Sequence, residues 1–332
     1  MKNNFLFFVL LSAVSCTQQQ KQFLISGTTQ GSYFRIAYIA LNEDTLLISK
    51  VNALLHTFDN TFSLWNDSSM LVRVNRNENV NVSPLFTDLF EKSQIMSERT
   101  NGYFDITVKP LVSLYGFAAE KRSKNFFSEE EINNILRYVG YSRVRIKNGC
   151  VEKDLPQIHL DFNAIAQGYC SDLVAEILLE NGYKNFLIDI GGEIVASGKK
   201  PNGEIWKIGI EKPAATASDK QSTITEVPLT DCSIVTSGNY RKYFEIDGKR
   251  FSHTINPHTG RPASDGILSA TVVASAGWEA DALATAIACM DKDTAIAYID
   301  RNNISCMIIY DSLQNMCVWQ SEQFNNNKFN VK

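Results

Sequence analysis

Four short stretches carry residue types that could do chemistry. In Asp281-Ala282-Leu283-Ala284-Thr285 the acid and the hydroxyl are four residues apart, so on a helix both oxygens project from one face. Hard oxygen donors of this kind suit magnesium, which keeps its remaining positions for water and substrate phosphate. An exposed acid and a helix-interior threonine would give the same spacing. The flanking Ala280, Ala282, Ala284 and Ala286 are small enough to let a bulky ligand approach. In Asp161-Phe162-Asn163-Ala164-Ile165-Ala166-Gln167-Gly168-Tyr169 a strand is expected to run into a helix N-terminus, where free backbone N–H groups attract phosphate. Asp161 could instead cap those donors itself. Gly168, in an early helical turn, costs about 1 kcal/mol against alanine, which points to a close backbone approach. His253 stands at the end of an expected strand and just ahead of a tight turn over 256–262, where an imidazole can act as general base, bind phosphate or simply be a satisfied structural histidine. Gly191-Gly192 follows an apolar strand and permits a tight turn or close approach to a ligand; it is not a GxGxxG motif, and no P-loop is present.

The elements that must position these residues follow from periodicity and punctuation. Residues 23–28 and 33–38 read as a hairpin broken by Gly27 and Gly31. Leu47, Val51, Leu54, Leu55 and Phe58 recur at helical spacing. A second helix opens at Ser83-Pro84 and runs towards Gly102, and Ser128-Glu129-Glu130-Glu131 is a capping box opening a third that Gly140 ends. Next come a strand over 158–162, a helix from Asn163 or Ala164 to Asn181 and a strand over 186–190. Strands are expected over 206–210, 224–229, 233–236, 243–246 and 250–255, with Asp247-Gly248 as a hairpin turn. A strand over 269–274, helices over 279–290 and 294–301 and a strand over 305–310 complete the set. Strands mixed with helices without strict βαβ alternation indicate an α+β fold. A helix leading into an apolar strand occurs in both halves, at 163–190 and 279–310, a sign of duplication.

The 332 residues are 44% hydrophobic and 20% charged, the composition of an ordinary globular protein. With 32 Lys+Arg against 36 Asp+Glu the net charge is −4, which argues against nucleic-acid binding. No apolar run reaches the roughly 18 residues of a spanning helix, which argues against polytopic transport. The start, MKNNFLFFVLLSAVSC, is a signal pattern with Lys2 ahead of an apolar run over 5–11. Ala13-Val14-Ser15-Cys16 resembles a bacterial lipobox, so residues 1–15 are expected to be removed and Cys16 to carry lipid, with a polar tether over 16–22. The expected location is the bacterial cell envelope, exported and lipid-anchored to a membrane, on the periplasmic side. A plain signal peptide is the alternative. The folded domain is expected over 23–323 with a frayed tail over 324–332. Six further cysteines form no disulfide framework, and none of the four histidines joins a cysteine at zinc-site spacing.

In this order the motifs resemble the FAD:protein FMN transferases, the ApbE-type flavin transferases. The matching pieces include Gly27-Thr28-Thr29-Gln30-Gly31-Ser32-Tyr33, Phe62-Ser63-Leu64-Trp65, Gly102-Tyr103-Phe104-Asp105-Ile106-Thr107 and the stretches 161–169, 189–193, 236–240, 253–262 and 281–285. The resemblance implies a tunnelling-type (T-fold) α+β architecture with duplicated subdomains and mixed or antiparallel sheets packed with helices. It implies an enzyme that uses FAD and Mg²⁺, attaches FMN through a phosphoester to a Thr or Ser hydroxyl and releases AMP. The acceptor is expected to be an exported or membrane-bound redox flavoprotein. Carried over by position, Asp281, Thr285 and the Ala164 carbonyl would hold the metal. Gln30, Trp65, Tyr103, Phe104, Asp105, Asp161, Gln167 and Ile255 would contact FAD, and His253 would assist transfer. The chain departs from the pattern in two places. Gln167 stands where many relatives carry a basic residue, so the pyrophosphate would lean more on magnesium and the helix terminus. Trp65 replaces a smaller aromatic. An FAD pyrophosphatase giving FMN and AMP, or a non-catalytic flavin-binding lipoprotein, would use much the same residues.

Overall fold

A computed structural model describes residues 19–117, 127–213, 222–239, 243–246, 249–263, 266–312 and 315–326. In chain order the elements are β1 (Lys21–Thr29), β2 (Ser32–Ala40), α1 (Thr45–Phe62), α2 (Met70–Asn75), α3 (Pro84–Arg99), α4 (Lys109–Leu114), α5 (Glu129–Leu136), β3 (Val144–Lys147), β4 (Cys150–Lys153) and α6 (Ala166–Glu180). Then follow β5 (Phe186–Ile190), β6 (Glu193–Ser197), β7 (Trp206–Glu211), β8 (Thr223–Leu229), β9 (Cys232–Gly238), β10 (Tyr243–Ile246), β11 (Lys249–Ser252), β12 (Ile267–Ala274), α7 (Gly277–Cys289), α8 (Lys292–Arg301), β13 (Ser305–Ser312), β14 (Asn315–Gln320) and α9 (Glu322–Asn325).

Eight of these strands form one antiparallel sheet, ordered β1-β2-β5-β6-β9-β12-β13-β14. The order divides into two equivalent halves. In each, two paired strands are followed by a helix and then by two more paired strands: β1-β2, α6, β5-β6 and β9-β12, α7, β13-β14. The halves join at β6 and β9, and α6 packs against α7 across one face. Alternation along the strands fills both sides. Ile36, Tyr38, Ile188 and Val235 point into the large core under the helices, while Ile39, Ile234 and Ile309 meet Trp206 and Val227 of the β7–β8 hairpin on the other face. Each half carries an insertion. Helices α1–α5 and the β3–β4 hairpin lie between β2 and α6, and β10, β11 and the loop after them lie between β9 and β12.

Several helix starts obey their sequence signals. Asp44 accepts from the Leu46 and Leu47 amides, Ser83 precedes Pro84 at the first turn of α3, and Ser128 with Glu131 completes the capping box. Other expectations need correction. Residues 158–162 form no strand; they are extended and tied by individual bonds, Leu160 N to Asn75 Oδ1 and Asp161 N to Ile106 O. Helix α6 begins at Ala166, after a turn over 163–165, and its cap residue is Ile165; Asp161 Oδ1 accepts the Asn163 amide and caps only that turn. The strand expected over 250–255 ends at Ser252, with Ile255 in a lone bridge to Pro262. Helix α5 ends at Leu136, short of Gly140. Strand β1 begins at Lys21, inside the stretch read as tether, and Phe324, placed in the tail, is buried in α9 against the second core. Ala280, Ala282, Ala284 and Ala286 are 0% exposed. Their small size lets α7 sit flush in the core and opens no approach for a ligand.

Unanticipated elements were β6, β14, α2, α4, α9 and the β3–β4 pair. Residues 1–18, including the lipobox and Cys16, lie outside the described residues, as do Tyr240, the Asp247-Gly248 turn and residues 327–332. Among the described residues the six cysteines are free thiols.

Candidate active site

At the end of the sheet marked by the β1–β2 and β5–β6 turns lies a cavity of about 380 Å³. Gln30, Trp65, Tyr103, Phe104, Asp105, Asp161, Ala164, Gln167, His253, Ile255, Asp281 and Thr285 all line it. Sequence positions as far apart as 30 and 285 thus converge on one space.

Each wall has a local cause. Gln30 and Gly31 have φ of 50° and 70°, as the two-residue turn of a tight hairpin requires, and the turn delivers Gln30 to the cavity. Gly191-Gly192 is likewise the two-residue turn of the β5–β6 hairpin. A Cβ at Gly191 would lie 2.5 Å from Gln167 Nε2, so this glycine also makes room for the glutamine. The first insertion supplies Tyr103, Phe104 and Asp105. Asp105 is buried, which raises its pKa, and its oxygens are engaged by Thr107 N, Thr107 Oγ1 and the Tyr141 amide. It therefore shapes the wall by bracing the turn. Asp161 is also buried with its pKa raised by desolvation, and its amide bond to Ile106 O fastens the 161–169 stretch to the Tyr103–Asp105 wall. Trp65 stands 66% exposed at the mouth. The second insertion supplies His253 beside Phe117, with ring centroids 6.2 Å apart. Its neighbour Ser252 donates to Asn239 Oδ1 (2.5 Å) and accepts from the Thr254 amide.

The 161–169 and 281–285 stretches are in direct contact. Gly168 N donates to Asp281 Oδ2 over 3.0 Å. Helix α6 starts only at Ala166, so that amide is one of its free first-turn donors, and Ala164, in the turn just ahead of the helix, lines the cavity. Asp281 is 6% exposed, and burial, with the nearby Asp172 carboxylate adding to it, raises its pKa against the opposing Gly168 bond. Thr285 follows one turn along. A buried carboxylate, a hydroxyl and a backbone carbonyl ahead of the helix are hard oxygen donors of the type a magnesium ion takes, so the residues present fit that ion. Among the described residues no group of three or more His, Cys, Asp or Glu side chains offers an alternative metal cluster.

Sequence reasoning missed the side chains that pin α7. Asp172 accepts the Gly277 and Trp278 amides at 2.7 and 3.0 Å, and at the other end Asn239 Nδ2 and Asn256 Nδ2 donate to the Ala288 and Cys289 carbonyls. A signal existed for the first: Gly168-x-x-x-Asp172 and Gly277-x-x-x-Asp281 share one spacing.

A family model described as the ApbE family matches residues 30–308. The chain belongs to that family. The FAD:protein FMN transferase of Vibrio cholerae is 33% identical over 306 residues, covering 90% of this chain and 91% of that protein. The Haemophilus influenzae protein of the same name is 32% identical over 311 residues, covering 90% and 89%. Among solved structures, the flavin transferase ApbE from Vibrio cholerae superposes with a TM-score of 0.83 at 31% identity, covering 92% of this chain and 99% of that one. The apo form of the Pseudomonas stutzeri flavinyl transferase ApbE gives 0.84 at 30% identity, covering 95% and 98%. The α+β architecture is thus that of the ApbE flavin transferases.

Proposed function

We propose that this ApbE-family protein transfers the FMN moiety of FAD to a Thr or Ser hydroxyl of an acceptor protein and releases AMP. Relatives named FAD:protein FMN transferase support the activity. The observation that carries the reading for this chain is the 3.0 Å bond between Gly168 N and Asp281 Oδ2, because it puts the anion-seating stretch and the hard-oxygen pair in one cavity.

Asp281, Thr285 and the Ala164 carbonyl would hold Mg²⁺. When bound there, the ion would neutralise charge on the diphosphate. Gln30, Gln167 and Asp161 supply polar contacts along the cavity, and Tyr103, Phe104, Ile255 and Trp65 supply apolar and aromatic surface for the flavin. His253 accepts the proton of the acceptor hydroxyl as its oxygen bonds to the FMN-side phosphorus. The bond from that phosphorus to the bridging oxygen breaks, and AMP leaves with the electron pair. Gln167 holds its phosphate neighbours through an amide, without a full positive charge.

We further propose that Cys16 carries lipid and anchors the protein to a membrane of the cell envelope, facing an exported or membrane-bound redox flavoprotein; the lipobox-like Ala13-Val14-Ser15-Cys16 supports this. Radiolabelled palmitate should enter the wild type and not Cys16→Ser.

The activity is tested by incubating the protein with FAD, Mg²⁺ and an acceptor carrying a Thr or Ser in a short Gly-containing motif. A flavin-fluorescent acceptor band on a denaturing gel, with AMP released in equal amount, is expected. AMP and free FMN with a dark acceptor would mean hydrolysis, and no AMP would mean flavin binding without chemistry.

A further inference from the structure

The two helices that meet at the cavity begin without caps of their own. Neither Ile165 ahead of α6 nor Ala276 ahead of α7 gives a side-chain hydrogen bond to its helix. Each helix is capped instead by the other. Asp281 of α7 accepts the Gly168 amide in the first turn of α6, and Asp172 of α6 accepts the Gly277 and Trp278 amides in the first turn of α7. The exchange works because the backbones touch at two glycines. A Cβ at Gly168 would stand 2.2 Å from the Gly277 carbonyl oxygen, and one at Gly277 would stand 2.5 Å from the Gly168 oxygen. In both helices the aspartate follows its glycine by four residues, so Gly168/Asp172 and Gly277/Asp281 occupy corresponding places in the helices of the two half-sheets.

The two aspartates have diverged in use. Asp172 spends one oxygen on each of two amides, at 2.7 Å (Oδ1) and 3.0 Å (Oδ2). Asp281 commits Oδ2 to Gly168 and lines the cavity. We infer that Asp172 is a positioning residue for the divalent cation: by holding the first turn of α7 against α6, it sets where Asp281 and Thr285 stand relative to the Ala164 carbonyl. This rests on the metal reading given under Proposed function. Outer groups that orient ligands govern metal affinity in this way, as well as the ligands themselves.

The test is the dissociation constant for Mn²⁺, read from the EPR signal of free Mn²⁺ with FAD saturating, for wild type, Asp172→Ala, Asp172→Asn, Asp281→Ala and Asp44→Ala. Asp172→Asn keeps the shape and one acceptor oxygen, and serves if the alanine variant fails to fold. Asp44→Ala removes the cap of α1 and controls for loss of a helix cap as such. Both Asp172 variants should bind Mn²⁺ about 10-fold more weakly or worse, while Asp44→Ala lowers Tm and keeps wild-type affinity. Folded Asp172 variants with wild-type affinity, beside an Asp281→Ala that has lost it, would overturn the inference and leave the metal reading intact. Wild-type affinity in Asp281→Ala would overturn both.

Discussion

Asp281 is a buried carboxylate facing a cavity, and two of its properties can be tested separately. Burial raises its folded pKa above the ordinary 3.8, so the folded protein holds this proton more tightly than the unfolded chain does. Stability from the group is complete below pH 3.8 and is lost as pH rises through the raised folded value. In the presence of EDTA, Asp281→Asn should therefore melt higher than wild type at about pH 8, by about 2 °C or more, and the gap should close towards about pH 4. Adding Mg²⁺ at pH 8 should raise the Tm of wild type and leave the variant unmoved. His253→Ala should keep FAD affinity, read by flavin fluorescence, and lower the transfer rate about 10²- to 10⁴-fold; an unchanged rate would remove His253 from the chemistry. At this scale the sequence was informative, because residue type and spacing alone singled out 161–169, 253–262 and 281–285. It misjudged the α7 alanines, since burial in the core, and not residue size alone, decides what can approach them.

The α6–α7 crossing is the element-scale feature on which the site depends. Gly168→Ala must push a methyl group into the Gly277 carbonyl, 2.2 Å away, and Asp281 Cβ, 2.8 Å away. Overpacking of this kind costs about 1–3 kcal/mol, readable as a lower urea midpoint with unchanged slope. Because the crossing also carries the Gly168–Asp281 bond, Mn²⁺ affinity should fall with it. The glycine's unfavourable place in an early helical turn did announce a close approach, and that approach is to backbone. The helix start was not legible for a physical reason. Asp161 has the residue type of an N-cap, yet it accepts only the Asn163 amide of the turn ahead of α6, and the first-turn Gly168 amide goes to Asp281, 113 residues beyond it. Strand β6 went unread for another reason: Gly191-Gly192 left a tight turn and a ligand approach both open, and only the pairing of β5 with β6 settles it as a hairpin turn.

Across the whole molecule, the duplicated half-sheets supply a rigid platform and the two insertions supply the specific walls. The second core, on the sheet face away from α6 and α7, should matter for stability and little for the reaction. Trp206, 3% exposed and bonded through Nε1 to Ser197 O, tests this. Trp206→Ala should lower stability by about 3–5 kcal/mol in denaturant titration while the folded fraction transfers FMN at the wild-type rate. Duplication was visible as a helix leading into an apolar strand in each half. The pairing of β6 with β9, which turns two halves into one sheet, joins strands that the sequence does not mark as partners. The central claim is that a divalent cation held by Asp281, Thr285 and the Ala164 carbonyl meets the diphosphate of FAD beside the 161–169 stretch. Anomalous scattering from a crystal grown with FAD and Mn²⁺ tests it most directly. A peak within bonding distance of Asp281 and Thr285, adjoining the diphosphate density, is predicted; FAD seated in the cavity with no peak there, or with the metal elsewhere, would contradict it.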